Sequence, residues 1–190
     1  MKRSEKKVKL YRTALLDPPW PERGGGKIKR GADRHYELLN PSQMPQTVLA
    51  SGVFHFEVHA HCYLWVTNNY LRQGLVLLEQ LGFRYVTNVV WPKQRAGLGQ
   101  YFRGKHELML FGVRGKGKDP SVYQDTRSLT TVLEGEHVRV HSRKPEQAFE
   151  LVERRSKGPY LELFGDPALP ARPGWERWGR PRKVELAVGA

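Results

Sequence analysis

The sequence predicts an α/β domain, and three observations lead there. Apolar runs bounded by turn residues alternate with stretches of helical period. Residues 11–16 read as a short strand that stops at Asp17-Pro18-Pro19, because two prolines remove two backbone donors and forbid continuation of a sheet. Residues 70–81 carry Leu71, Leu75 and Leu78 on one helical face and end at Gly82.

The remaining elements follow in order. Residues 21–36 hold Gly24-Gly25-Gly26, Lys27, Lys29, Arg30 and Gly31 without periodicity and read as a mobile loop. A short helix is expected over 42–50, a buried strand over 61–66, and, after the helix at 70–81, a strand over 83–91 rich in Val and aromatics. The polar, glycine-punctuated stretch 93–104 reads as a second mobile loop, and two long loops in a small domain point to function. Residues 106–113 form a strand; 119–136 are the least legible, with one short strand expected around 130–133. Pro145 suits the first position of a helix reaching about residue 155, with Ala148, Leu151 and Val152 as its apolar stripe. A strand over 159–164 is stopped by Gly165-Asp166-Pro167. Internal repeats and low-complexity segments are absent.

At 190 residues the chain is read as one domain, 1–190, with a basic N-terminal tail at 1–9 and a C-terminal tail at 180–190. Its length supports a core that needs no disulfide or metal, and Cys62, the single cysteine, excludes a disulfide scaffold. Cys62 itself reads as core filling. Seven histidines without cysteine or carboxylate at metal spacing make no metal site. Lacking an apolar run of membrane length or a signal-peptide pattern, the chain is expected in a cytoplasm-like, reducing compartment. Its 32 basic and 19 acidic side chains leave +13, which favours a polyanionic partner such as nucleic acid. A membrane surface would call for a basic amphipathic helix, whereas the basic stretches 2–12, 23–34, 95–118 and 172–183 are rich in Gly, Pro and aromatics and read as loops. Oligomeric state is not legible.

The most informative residues are Asp17-Pro18-Pro19-Trp20, at the C-terminal end of a predicted strand, where open α/β sheets bind ligands. At ordinary composition this tetrapeptide arises by chance about once in a few thousand chains of this size. One reading is a double-proline turn with a tryptophan packed on it. The other is chemical and accounts for all four positions if the substrate is an amino group on an aromatic base. The Asp17 carboxylate accepts one N–H, the Pro18 carbonyl accepts the other, the prolines hold that carbonyl rigidly, and Trp20 stacks on the base. Two acceptors localise a lone pair that the ring would otherwise delocalise, so orientation and electrostatics matter more than deprotonation.

With this tetrapeptide the sequence resembles the adenine-N6 methyltransferases named after the seventy-kilodalton subunit of the messenger-RNA adenosine methyltransferase, together with their small bacterial and phage relatives. The resemblance runs from about residue 11 to 179. It is carried in family order by DPPW at 17–20, GADRHY at 31–36, LWVTN at 64–68, Gly82-Phe83 with Trp91 and Lys93, RGKHEL at 103–108, GVRG at 112–115, HSRKP at 141–145, ELFG at 162–165 and PGWERWG at 173–179. The resemblance implies a Rossmann-like, S-adenosylmethionine-dependent methyltransferase domain of circularly permuted order, with the catalytic DPPW ahead of a C-terminal cofactor segment. By similarity, Asp17, Pro18, Pro19 and Trp20 hold the adenine, with Asp17 also near the methyl donor. The loops bearing His35-Tyr36 and Lys93 to Arg103 close over the base, Lys144 meets the donor's carboxylate, and Phe164-Gly165 line the cofactor. Plain alternatives stand beside these roles: His35-Tyr36 as ordinary loop residues, Lys93 as a solvated cation, His106-Glu107 as the start of an exposed strand. Lys144 precedes a helix N-terminus, an unfavourable place for a cation unless an anion shares it.

Two positions depart from the family pattern. Asp166 stands where a basic residue is common, and Arg180-Pro181 where an amide residue follows the last tryptophan-glycine pair. Arg180 has donors only, whereas Asp166 can accept from hydroxyls, so Asp166 is expected to take over the ribose contact. Only sixteen residues precede Asp17, and this short format resembles the bacterial and phage members. The expected function is therefore methyl transfer to the N6 amine of adenine in DNA, with RNA as the alternative within the same chemistry and a catalytically silent nucleic-acid-binding subunit as the alternative from another class.

Overall fold

A computed structural model of the chain describes residues 8–21, 39–97, 101–124, 128–134 and 144–179. The expectations for His35, Tyr36, the glycine-rich stretch and Arg180 lie outside these residues. Six strands form one sheet: β1 (Tyr11–Leu16), β2 (Phe56–Val66), β3 (Arg84–Pro92), β4 (His106–Arg114), β5 (Tyr160–Gly165) and β6 (Trp175–Gly179). Their order is β3-β4-β2-β1-β5-β6. β1 runs parallel to β2 and β5, β5 parallel to β6, and β4 antiparallel to both β2 and β3. Five strands therefore point one way and β4 the other. This is the Rossmann-like arrangement, with the strand ending at Asp17 coming before the strand ending at Gly165 in the chain.

β1 has sheet neighbours on both edges and helices over both faces, so it reads as a nearly continuous apolar run. Alternation sorts the other strands into two layers. Ala14, Leu16, Cys62, Leu64, Val66, Leu108, Leu110, Leu161 and Leu163 pack against α1 (Met44–Ala50) and α2 (Leu71–Gln80). Leu15, Tyr63, Trp65, Val89, Trp91 and Met109 pack against α3 (Glu146–Arg155) through Ala148 and Val152. Each fully buried Leu or Val contributes roughly 1.5–3 kcal/mol.

The expected helices are present with shifted edges. α2 follows a 3-10 turn over Asn68–Tyr70, buries Gly74, Leu77 and Leu78 and leaves Leu71 and Leu75 half-buried. Its end is a Schellman motif: Gly82, at φ +81°, allows the Phe83 N–H to reach the Leu78 carbonyl at 3.1 Å. Pro145 sits one residue ahead of α3, which begins at Glu146 and has Arg154 and Arg155 in its last turn, in keeping with the helix dipole. β2 begins five residues earlier than expected, and β6 was not anticipated as a strand. The strand expected around 130–133 is an isolated bridge between Val132 and Val90. The stretch read as a second loop is tied at its base: Lys93 N–H donates to the Lys105 carbonyl at 2.8 Å and Gly97 N–H to the Gly104 carbonyl at 2.7 Å. No helix among the described residues is long and apolar enough to cross a membrane.

The C-terminal end of α3 is fixed by a buried polar knot. Ser156 Oγ lies 2.7 Å from His61 Nδ1 and 2.7 Å from the Tyr63 hydroxyl, and Phe111 meets the imidazole edge-on. Burial, and secondarily the positive Arg155, push the His61 pKa down to about 4. An unfolded chain binds that proton near pH 6.5, so the folded state is at full relative stability above 6.5 and loses it as pH falls toward 4. At about 1.4 kcal/mol per unit the loss is on the order of 3 kcal/mol. Denaturant titrations should show wild-type stability declining through this window and His61→Gln much flatter. Parallel curves would mean that the imidazole is not held neutral.

Candidate active site

The common strand direction gathers the ends of β1, β2, β3, β5 and β6, and the start of β4, along one edge. Leu16 lies opposite Leu64 and Leu163, Val66 opposite Leu108, and Pro92 opposite His106. The chain passes from β1 to β2 on one side, while β5 lies on the other, so Asp17 stands at the switch point where such sheets open a crevice. Residues two apart in a strand share a face. Asp17 continues the face of Leu15, Glu107 that of Met109, and Lys93 that of Trp91, which is the face covered by α3. Lys144, immediately ahead of α3, arrives on the same face.

These residues form one charge cluster. Lys144 Nζ lies 2.9 Å from Asp17 Oδ1 and 3.2 Å from Glu107 Oε2, and Lys93 Nζ contacts the other Glu107 oxygen. Two cations and two carboxylates alternate, so the cluster is formally neutral. Lys144 also sits over the Trp65 ring at 5.3 Å and Lys93 over the Trp91 ring at 5.0 Å. Burial alone would raise the Glu107 pKa, but Lys144 and Lys93 outweigh it and hold the carboxyl at about 2. Burial alone would lower the Lys144 pKa, and Asp17 followed by Glu107 more than reverse it, so this ammonium stays charged. The cation expected to need an anion beside the helix start thus has two from its own chain. Glu107, given no role from sequence and only the plain alternative of an exposed strand start, is the residue that reasoning missed; its two-residue spacing from Met109 was the available signal.

The tetrapeptide is held from below. The Trp20 indole N–H donates to the Trp65 carbonyl at 2.8 Å, and its ring stacks on Tyr70 at 5.6 Å and 18°. Tyr70 in turn donates its hydroxyl to the Pro21 carbonyl at 2.9 Å. Trp20 is buried in the core, with one ring face on Tyr70 and its polar atom satisfied. The Pro18 carbonyl accepts the Trp20 backbone N–H at 2.9 Å, which leaves it a second lone pair among the described residues. Nearby, at the end of β2, Trp65 Nε1 and Thr67 Oγ1 are buried without a hydrogen-bond partner among the described residues. An orphaned buried donor costs about 1–3 kcal/mol, so such atoms suit a polar guest.

Beyond β1, the end of β5 carries the residues expected to meet the cofactor. Phe164 has φ +64°, a left-handed conformation unusual for a residue with a side chain and common near functional sites. The residue is fully buried and its ring meets Trp178 edge-on at 5.3 Å. Gly165 is demanded by close approach, because a Cβ there would lie 2.6 Å from Arg177 Nε and 2.7 Å from the Glu162 carboxylate. Arg177 pairs with Glu162 at 2.6 Å and donates to the carbonyls of Asp166 and Leu169 at 3.0 and 2.6 Å, fixing the turn after β5. Asp166 is exposed; one carboxylate oxygen accepts the Ala168 N–H at 2.9 Å. Arg103 is exposed as well, and its guanidinium clasps the Ala96 and Gly97 carbonyls at 2.9 and 3.3 Å. No cluster of potential metal ligands exists among the described residues.

Comparison with known proteins agrees with this geometry. The family model described as MT-A70 matches residues 11–181. An N(6)-adenosine-methyltransferase MT-A70-like protein of Drosophila melanogaster is 26% identical over 174 residues, covering 87% of this chain and 26% of the relative. The Arabidopsis thaliana N(6)-adenosine-methyltransferase MT-A70-like is 26% identical over 163 residues, covering 81% and 21%. The human N(6)-adenosine-methyltransferase catalytic subunit METTL3 is 25% identical over 174 residues, covering 87% and 27%. The chain thus spans about a quarter of the length of these curated relatives. S-adenosylmethionine is the methyl donor of the MT-A70 methyltransferases. With the match extending across all six strands and the whole edge that carries the charge cluster, the chain belongs to the MT-A70 family.

Proposed function

We propose that this chain transfers a methyl group from S-adenosylmethionine to the N6 amine of adenosine in RNA. The observation that carries the reading is Asp17: a carboxylate at the switch point of the sheet, on a double-proline turn, 2.9 Å from the Lys144 ammonium. The family relation supports adenine-N6 chemistry, and the +13 charge supports a polyanionic substrate. The relatives' names speak of adenosine, a ribonucleoside, and this favours RNA over the DNA that the short format suggested.

The residues present fit the donor. Lys144 is a buried cation suited to its carboxylate, and Asp166 is an exposed acceptor suited to ribose hydroxyls beside the bare backbone of Gly165. Bound there, S-adenosylmethionine supplies an electrophilic methyl on a sulfonium. The remaining work is done by the chain. Asp17 accepts one N–H of the amine and the free lone pair of the Pro18 carbonyl accepts the other, which directs the amine lone pair. Trp20 keeps both acceptors in place from the core side. Glu107 is a positioning residue: it holds Lys144 while the ammonium is shared between Asp17 and the donor. His35, Tyr36 and Lys93 are assigned, with the hairpin clasped by Arg103, to covering the base.

Incubation with labelled S-adenosylmethionine and matched RNA and DNA, followed by mass spectrometry of the nucleosides, should give N6-methyladenosine in preference to its deoxy counterpart. The reverse preference would restore DNA, and transfer to neither polymer by a chain that binds the donor would overturn the activity. Asp17→Asn should lower the rate roughly 100- to 1,000-fold, as loss of an orienting transition-state group does, and leave nucleic-acid affinity nearly unchanged, because affinity comes from many phosphate contacts. A separate consequence concerns acid. Glu107 has a depressed folded pKa, so its stabilisation is complete above the unfolded value of about 4.5 and is lost as pH falls through about 2. In acid unfolding between those values, wild type should lose on the order of 3 kcal/mol more than Glu107→Gln. Equal acid limbs would remove Glu107 from the pair with Lys144.

A further inference from the structure

We propose that Tyr101 and Phe102 form a base-stacking platform that grips the single strand flanking the target adenine. The two side chains are adjacent and have relative exposures of 103% and 87%, the highest among the exposed large apolar residues described. A Tyr or Phe held in water forgoes a burial contribution of roughly 1.5–3 kcal/mol, so two side by side mark an interaction surface.

The pair does not hang on a slack loop. Its hairpin is closed by the backbone hydrogen bonds Lys93 to Lys105 and Gly97 to Gly104, and by the Arg103 guanidinium on the Ala96 and Gly97 carbonyls. Tyr101 itself has φ +60°, a left-handed conformation unusual for a bulky residue. The two rings therefore lie just beyond bonds that close the base of this connection at residues 97 and 104.

Charge selects the partner. From Lys93 to His106 the hairpin holds Lys93, Arg95, Arg103 and Lys105 and no acidic residue, and Arg95, Arg103 and Lys105 are exposed. Aromatic rings interleaved with cations are the chemistry that binds single-stranded nucleic acid: rings stack on base faces and guanidinium or ammonium groups meet phosphates. An acidic protein surface would satisfy the cations and leave the rings without stacking partners. Position agrees. The hairpin springs from Lys93 and from the residues next to Glu107, both in the charge cluster with Lys144 and Asp17. Phe102 is three residues from Lys105, about 10 Å of extended chain, which is close to three stacked nucleotides at 3.4 Å each. A strand with its adenine at Asp17 thus passes the rings within a few nucleotides.

The inference rests on the nucleic-acid reading above, and its test separates the two. Binding of a short fluorescent single-stranded RNA would be titrated at several salt concentrations for wild type, Tyr101→Ala, Phe102→Ala, Tyr101→Trp and Arg95→Ala, with methyl transfer and donor binding measured in parallel. Each alanine at an aromatic position should weaken RNA binding by roughly 5- to 150-fold, the range of one base-aromatic stack, with an unchanged slope of log affinity against log salt. Tyr101→Trp should retain affinity, and Arg95→Ala should reduce that slope by about 1. Melting temperature and donor affinity should not move, since both rings are exposed. Aromatic variants that bind RNA within twofold of a wild type that methylates it would overturn the platform alone. Loss of binding in the aromatic variants, with no methylation by wild type, would sustain the platform and overturn the activity. A wild-type dimer dissociated by the double alanine variant would place a second copy of the chain on the rings and also overturn the proposal.

Discussion

A lysine ammonium held largely out of water at the head of α3 is the constraint around which the active edge is organised. Lys144 is tolerable there because two carboxylates meet it, Asp17 from the end of β1 and Glu107 from the start of β4. Bringing both to one point requires β1 to stop at the double proline, β4 to run against its neighbours, and α3 to lie across the face shared by Leu15, Met109 and Trp91. The polar knot of His61, Tyr63 and Ser156 fixes the far end of α3 and so contributes to where Lys144 stands.

A second tie works on the other side of β1. The Glu162–Arg177 pair joins β5 to β6, and Arg177 also gathers the carbonyls of the turn that follows β5. The side-chain-free Gly165 is the local consequence of fitting that pair beneath the strand end. The edge thus has two electrostatic clamps, one on each side of Asp17. The first lies in the proposed active site; the second joins two strands and the turn that follows β5.

What the sequence discloses depends on whether a signal is local. The strand ending at Asp17 was legible to the residue, because its apolar run and its double-proline stop lie within nine positions. The outer half of β2 was not, since Glu57 and His59 alternate with weakly buried neighbours where that strand leaves the core. β6 was hidden by its brevity and by the prolines before it. Trp20 was legible but its protein neighbour was not: Tyr70, which covers one face of its ring, lies fifty residues away and comes to it only through the packing of β2 and α2. Glu107 was passed over because a charged residue at a strand start resembles a solvated one until its cross-sheet partners are known. The cofactor end was legible as residue types through resemblance, whereas the burial of the Phe164 ring depends on Trp178 in a strand that was not anticipated.

The reversed direction of β4 has a bearing on how this architecture diversifies. A strand parallel to its neighbours delivers one connection to the active edge and must return by a crossover through the opposite edge. The β3–β4 hairpin alone among the described strand connections both leaves and re-enters at the active edge, so its length and composition can change without moving a crossover helix or shifting the register of any parallel pair. Under the proposed function, the substrate-facing residues 93–105 and the donor-facing ends of β5 and β6, with Lys144, fall on separable stretches of chain. Such a division lets one module be rewritten for a new polymer or sequence context while the other stays fixed.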